Sequence, residues 1–237
     1  MTRLLVVGAL AACTYPEKTF DGPLTCIGDA PPTKAKAVVV FNGTALNPAD
    51  RMPLPGASIS LQASNMTPIA GPITSDATTG AFQFSLTSNG TPVDNVQFYA
   101  TGTDRYPTYY VPRPRLTEDH TFDLNILPTL QANNFSLGAF GMPLAANTAM
   151  ILMEIFDCNN VHLANATVTS IPAGTVRYLM ANMPSMTATQ TDAGGVAMIG
   201  SLPPGPVTVT IQVEDVTLEP RNFYLVAGSI LQPIMVP

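Results

Sequence analysis

Apolar and polar residues alternate with a period of two over much of the chain, in runs of five or six residues set between Gly, Pro, Asn, Asp and Ser. Successive side chains of an extended backbone point to opposite faces, so such runs read as strands with one face in a core and the other in water. In Ala81-Phe82-Gln83-Phe84-Ser85-Leu86 the residues Phe82, Phe84 and Leu86 share a face. Val207-Thr208-Val209-Thr210-Ile211 is β-branched at every position and is the clearest strand. Residues 36–41, 57–61, 96–100 and 121–126 supply further strands of a first unit, and 151–156, 163–168 and 196–199 of a second. No stretch holds a helical period, so the pattern predicts an all-β fold.

The turns repeat. Ser75-Asp76 followed by Gly80 is matched by Thr191-Asp192 followed by Gly195; the aspartates can close Asx-turns and the glycines supply positive φ. Leu163-Ala164-Asn165-Ala166-Thr167-Val168 parallels Leu54-Pro55-Gly56-Ala57-Ser58-Ile59. Leu202-Pro203-Pro204-Gly205-Pro206 excludes helix and ladder pairing and reads as a surface connection. These matches predict two tandem copies of one sandwich, residues 35–128 and 129–237, jointed near residues 127–137.

Composition narrows the function. Of 237 residues only 11% are charged, and a net charge of −6 without a basic stripe argues against nucleic acid as a partner. Arg3, an apolar run from Leu4 and small residues before Cys13 have the layout of a secretory signal. Leu10-Ala11-Ala12-Cys13 resembles the lipobox of bacterial lipoproteins. The resemblance implies that residues 1–12 are removed as a signal peptide and that Cys13 is lipidated, palmitate being among the acyl chains. With Thr14 next, it also implies the outer membrane or cell surface of a Gram-negative bacterium. The alternative is a buried first strand with an ordinary cysteine. Residues 13–34 are rich in Pro and Thr without periodicity and read as a tether. With Cys13 acylated, Cys26 and Cys158 remain as an even pair in an oxidising compartment and are expected either as a disulfide or as one small buried side chain and one free thiol.

Gly43-Thr44, then Pro53-Leu54-Pro55-Gly56-Ala57, then Ser75-Asp76 with Gly80-Ala81-Phe82, then Val96-Gln97-Phe98-Tyr99-Ala100-Thr101-Gly102 resembles the carboxypeptidase regulatory-like family. The second copy fits through Ala166, Thr191-Asp192-Ala193-Gly194-Gly195 and Leu202-Pro203-Pro204-Gly205, but has Ala197 where the first has Phe82. The resemblance implies two seven-stranded, transthyretin-like and Ig-like β-sandwiches. It implies no peptidase site, which in that family belongs to a separate catalytic domain.

Chemistry is sparse. His120 reads as part of a solvated turn and His162 as part of an exposed loop, in different halves, and no nucleophile elbow, phosphate loop or metal motif occurs. No catalytic residue and no cofactor is expected. Arg105, Tyr106, Tyr109, Tyr110 and Arg113 stand among prolines, which predicts an edge strand or loop with exposed rings and a rim for an envelope protein or a glycan. The alternative is an edge strand whose rings cover the core. Met180, Met183 and Met186 are spaced by three and are either thioether ligands for Cu(I) or fillers of a core gap. The function expected is a non-enzymatic, lipid-anchored envelope module, adhesive, structural or for assembly. An accessory protein binding a glycan or copper is the second expectation.

Overall fold

The computed structural model describes residues 22–181 and 183–237. The first half carries β1 (Val38–Leu46), β2 (Ser58–Ala63), β3 (Pro68–Thr74), β4 (Ala81–Thr87), β5 (Val96–Thr101), β6 (Thr108–Val111) and β7 (His120–Asn125). A helix α1 (Thr129–Phe140) follows. The second half carries β8 (Ala149–Ile155), β9 (Ala166–Ile171), β10 (Thr175–Met180), β11 (Met183–Ser185), β12 (Val196–Leu202), β13 (Gly205–Val213), β14 (Val216–Thr217), β15 (Arg221–Leu225) and β16 (Ser229–Met235). Among the described residues the fold is all-β apart from α1 and one short 3-10 turn.

The halves share a pairing plan. β1 pairs antiparallel with β4 and parallel with β7, and β8 does the same with β12 and β16. The antiparallel run β2-β5-β6 has its counterpart in β9-β13-β15. One strand differs: β3 pairs with β2, whereas β10 crosses over to pair with β12. Pro172 follows Ile171 directly and has no N–H to carry a hairpin ladder onward, which favours the crossing.

The two halves are joined through a single sheet of nine strands, ordered β11-β10-β12-β8-β16-β6-β5-β2-β3. Its central joint is the parallel pairing of β16 with β6, Ile230 opposite Thr108 through Pro233 opposite Val111. Alternation puts neighbouring side chains on opposite faces. Tyr110 therefore enters the core with Phe41, Phe98 and Phe122 under the sheet β4-β1-β7, while Tyr109 enters the core with Ile151, Val209 and Leu231 under the sheet containing β13. The two smaller sheets cover opposite faces of the shared one. A third cluster, Ala132 and Ala139 with Met150, Met198 and Ile230, seats α1 beside the three-stranded sheet.

Three expectations change. The stretch at the joint is helical: Ala132, Ser136 and Ala139 are its buried residues, a narrow stripe of small side chains that leaves Leu130 and Leu137 exposed and so shows no strong apolar period. Within residues 105–113 the strand is not an edge: residues 108–111 form β6, which lies between β5 and β16, while Arg105 and Arg113 stand in the flanking connections. Tyr106, Tyr109 and Tyr110 are buried, so the rings cover the core rather than form an exposed rim. Part of the stretch read as a tether is packed: Leu24 is buried in the second-half core, and Cys26 and Cys158 form a disulfide with Cα atoms 5.6 Å apart. The Cys158 amide also donates to the Pro23 carbonyl at 2.9 Å. Cys13 and the signal-like run before it lie outside the described residues.

Candidate functional site

The fold leaves a cleft of about 560 Å³ where the two halves meet. One wall is β7, through Thr121, Asp123 and Asn125; the other is α1, through Gln131 and Phe135. The floor is the shared sheet, through Leu152, Glu154 and Phe156 and through Gln232 and Ile234. The three-stranded sheet stops at β7 while the sheet beneath continues through β16 and β8, so a step is left that α1 only partly fills.

The charged side chains at the cleft each have a polar neighbour. Arg51 donates to the Asp123 carboxylate at 2.6 Å, and Arg113 donates to the side-chain oxygen of Asn160. Glu154 lies 3.6 Å from Nε2 of His162, whose ring stacks on Phe156. His162 thus lies between the Glu154 carboxylate and the Phe156 ring. His120 is not in a solvated turn: it opens β7 and stacks on Phe122, which in turn stacks on Tyr110 at 4.6 Å. Burial, with the nearby Arg113 cation, holds the His120 imidazole below its ordinary pKa and keeps it neutral at pH 7. Burial likewise pushes the Tyr109 phenol up to about 12. Nε2 of His120, Oδ1 of Asn125 and Oε1 of Gln131 are buried without a hydrogen-bond partner among the described residues.

Of the binding candidates named from sequence Tyr110 and Arg113 line the cleft, and so does His120. Arg105 lies with its guanidinium against the Ile126 carbonyl, and the Tyr106 hydroxyl donates to the Leu144 carbonyl at 3.2 Å. Met180, Met183 and Met186 are exposed on the β10-β11 hairpin, with Met180 directly opposite Met183, so they do not fill a gap in the core. Among the described residues no group of three His, Cys, Asp or Glu side chains is placed to hold a metal ion. No described helix is long and apolar enough to cross a membrane. The cleft itself was not legible in the sequence, because its residues come from separate strands, α1 and a loop, brought together by long-range pairing.

No family model matches the chain, and no curated protein matches it. Among solved structures it is similar to the shaft pilin SpaA from Lactobacillus rhamnosus GG, at 11% identity and a TM-score of 0.25, covering 87% of this chain and 98% of that one. It is also similar to BcpA, the major pilin subunit of Bacillus cereus, at 9% identity and a TM-score of 0.29, covering 84% and 99%. Likenesses at TM-scores and identities this low carry no inference about assembly or activity.

Proposed function

We propose that this chain is a non-enzymatic structural module of the cell envelope, tethered by lipid on Cys13 and presenting two fused sandwiches outward. The observation that supports it most is the sheet itself, in which β6 of one half and β16 of the other are neighbours and a disulfide ties the N-terminal stretch to the second half. Such a body resists bending between its halves, which a spacer, adhesive stalk or assembly subunit requires. Its repeated turns and shared strand plan fit two transthyretin-like sandwiches of the carboxypeptidase regulatory-like kind. At the cleft Arg51 holds the Asp123 carboxylate, and Glu154 lies 3.6 Å from Nε2 of His162. The proposed location is the outer membrane or cell surface of a Gram-negative bacterium, and the proposed partners are the membrane and another envelope protein.

The test is fractionation of cells fed labelled palmitate. The wild-type protein is expected in the membrane fraction carrying label, and Cys13→Ala unlabelled and released. A Cys13→Ala protein that stays with the membrane as firmly as wild type contradicts the proposal.

A further inference from the structure

We infer that the free edge of β7 is a docking slot for one extended peptide segment, which adds as a strand parallel to β7 and fills the cleft between β7 and α1. The slot itself does not depend on how the chain is anchored; that its occupant comes from an envelope protein rests on the function proposed above.

Among the described residues β7 pairs only with β1. The Ile126 amide donates to the Leu46 carbonyl at 3.0 Å, so the backbone groups of Phe122 and Leu124 face β1 as well. Those of Thr121, Asp123 and Asn125 face the other way, into the cleft these residues line. Gln232 confirms the direction: its side-chain amide crosses from the floor to the Asn125 carbonyl at 3.0 Å and closes that end of the edge. An unpaired row of amides and carbonyls is a template for another strand.

The repeat shows what such an edge accepts. β16 is the second-half counterpart of β7, since each is the parallel neighbour of the first strand of its half. The far edge of β16 is filled by β6, in parallel, with Thr108-Tyr109-Tyr110-Val111 beside Ile230 to Pro233 and the Ile230 amide donating to the Pro107 carbonyl. The equivalent edge of β7 opens onto the cleft.

Size limits the occupant to a single strand. Rise, strand spacing and sheet spacing give roughly 160 Å³ per residue in a sandwich, so 560 Å³ takes about three to four residues, the length of β6. Gln131 and Phe135 of α1 close the far side, which leaves no room for a whole sheet of a second copy. Side chains directed at the floor meet Leu152, Phe156 and Ile234, and the charges of the lining balance, Arg51 and Arg113 against Asp123 and Glu154. The segment that fits is therefore uncharged, with aromatic or β-branched residues at alternate positions, supplied by another envelope protein.

A labelled peptide with the sequence of residues 106–112, which has no charged side chain, provides the probe, titrated into the full-length protein by fluorescence anisotropy beside a scrambled control. Saturable binding in the range of about 10 µM is expected, at least about tenfold tighter than the control. Thr121→Pro removes an amide that faces the cleft and none that faces β1, so it is expected to weaken binding about tenfold with the melting temperature nearly unchanged. Amide exchange at Thr121 and Asp123 in wild type is expected to slow on adding peptide. No saturation by about 1 mM, equal binding of the scrambled peptide, or an unweakened Thr121→Pro variant overturns the inference. If that variant does not fold, exchange at Thr121 and Asp123 decides, and unslowed exchange overturns it. Saturation by soluble oligosaccharides in place of the peptide also overturns it, marking the cleft as a sugar site.

Discussion

Ser75 and Thr191 make the same pair of hydrogen bonds in the two halves. The Ser75 hydroxyl accepts from the Ala57 amide at 2.9 Å and donates to the Leu54 carbonyl at 2.7 Å; the Thr191 hydroxyl accepts from the Ala166 amide at 2.9 Å and donates to the Leu163 carbonyl at 2.7 Å. Both side chains are buried, so each removal strands an amide and a carbonyl. Ser75→Ala and Thr191→Ala are each expected to cost about 1–3 kcal/mol, read as a fall in urea midpoint, with Ser75→Thr much closer to wild type.

The glycines that follow repeat as well. Gly80 (φ 67°) and Gly195 (φ 61°) are left-handed, and a Cβ on either would lie 2.6 Å from a carbonyl oxygen, that of Ala45 or of Ile155. Each alanine variant is expected to lose more than about 1 kcal/mol of stability in chemical denaturation, from the αL cost and the clash together. A variant as stable as wild type would show that the turn relaxes freely.

Cys26 and Cys158 close a loop with a sequence separation of 132. Loop closure over that length corresponds to about 4–5 kcal/mol. Reductant, or Cys26→Ser, is therefore expected to lower the melting temperature markedly, and alkylation without reductant is expected to label neither thiol. Full alkylation of both without reductant would contradict the bond.

His120 sets an acid dependence. Its folded pKa lies below its ordinary value, chiefly through burial, so between the folded value and about 6.5 the unfolded chain binds a proton that the folded chain does not. Stability is thus full above about pH 7, falls as pH drops through that window, and levels once both states are protonated. His120→Gln is expected to flatten this slope in urea midpoints compared at about pH 7.5 and pH 5. The aspartates act lower. Asp76 is held down by the Thr79 and Thr78 amides, and Asp192 by those of Ala181 and Gly194, so their contributions are lost only as pH falls below about 4.

What the sequence could show was what is local. Alternation located β4 and β13, and the paired Ser/Thr-Asp and Gly residues located equivalent turns whose hydrogen bonds now coincide. Of residues 202–206, read as free of ladder pairing, only Pro203-Pro204 is the connection between β12 and β13: Leu202 pairs with Ala149, and Gly205 and Pro206 pair with Leu225 and Tyr224. The joint was illegible because it is long-range. β6 is buried at all four positions, between β5 and β16, so it has no alternation to read. Its flanking Pro107 and Pro112 suggest an edge, yet they stand outside the strand, where Pro107 needs only its carbonyl, which accepts from Ile230. α1 buries a thin stripe of small side chains, and the cleft follows from where α1 and β7 stop on the shared sheet.

Scanning calorimetry of the disulfide-bonded protein tests most directly whether the two halves act as one body. Leu231 is 1% exposed and sits in the β6-β16 joint, so Leu231→Ala removes about 2–5 kcal/mol of packing there. One transition is expected, with equal calorimetric and van't Hoff enthalpies, and Leu231→Ala should lower it without splitting it. Two separate transitions in wild type, only one of them shifted by Leu231→Ala, would contradict the account.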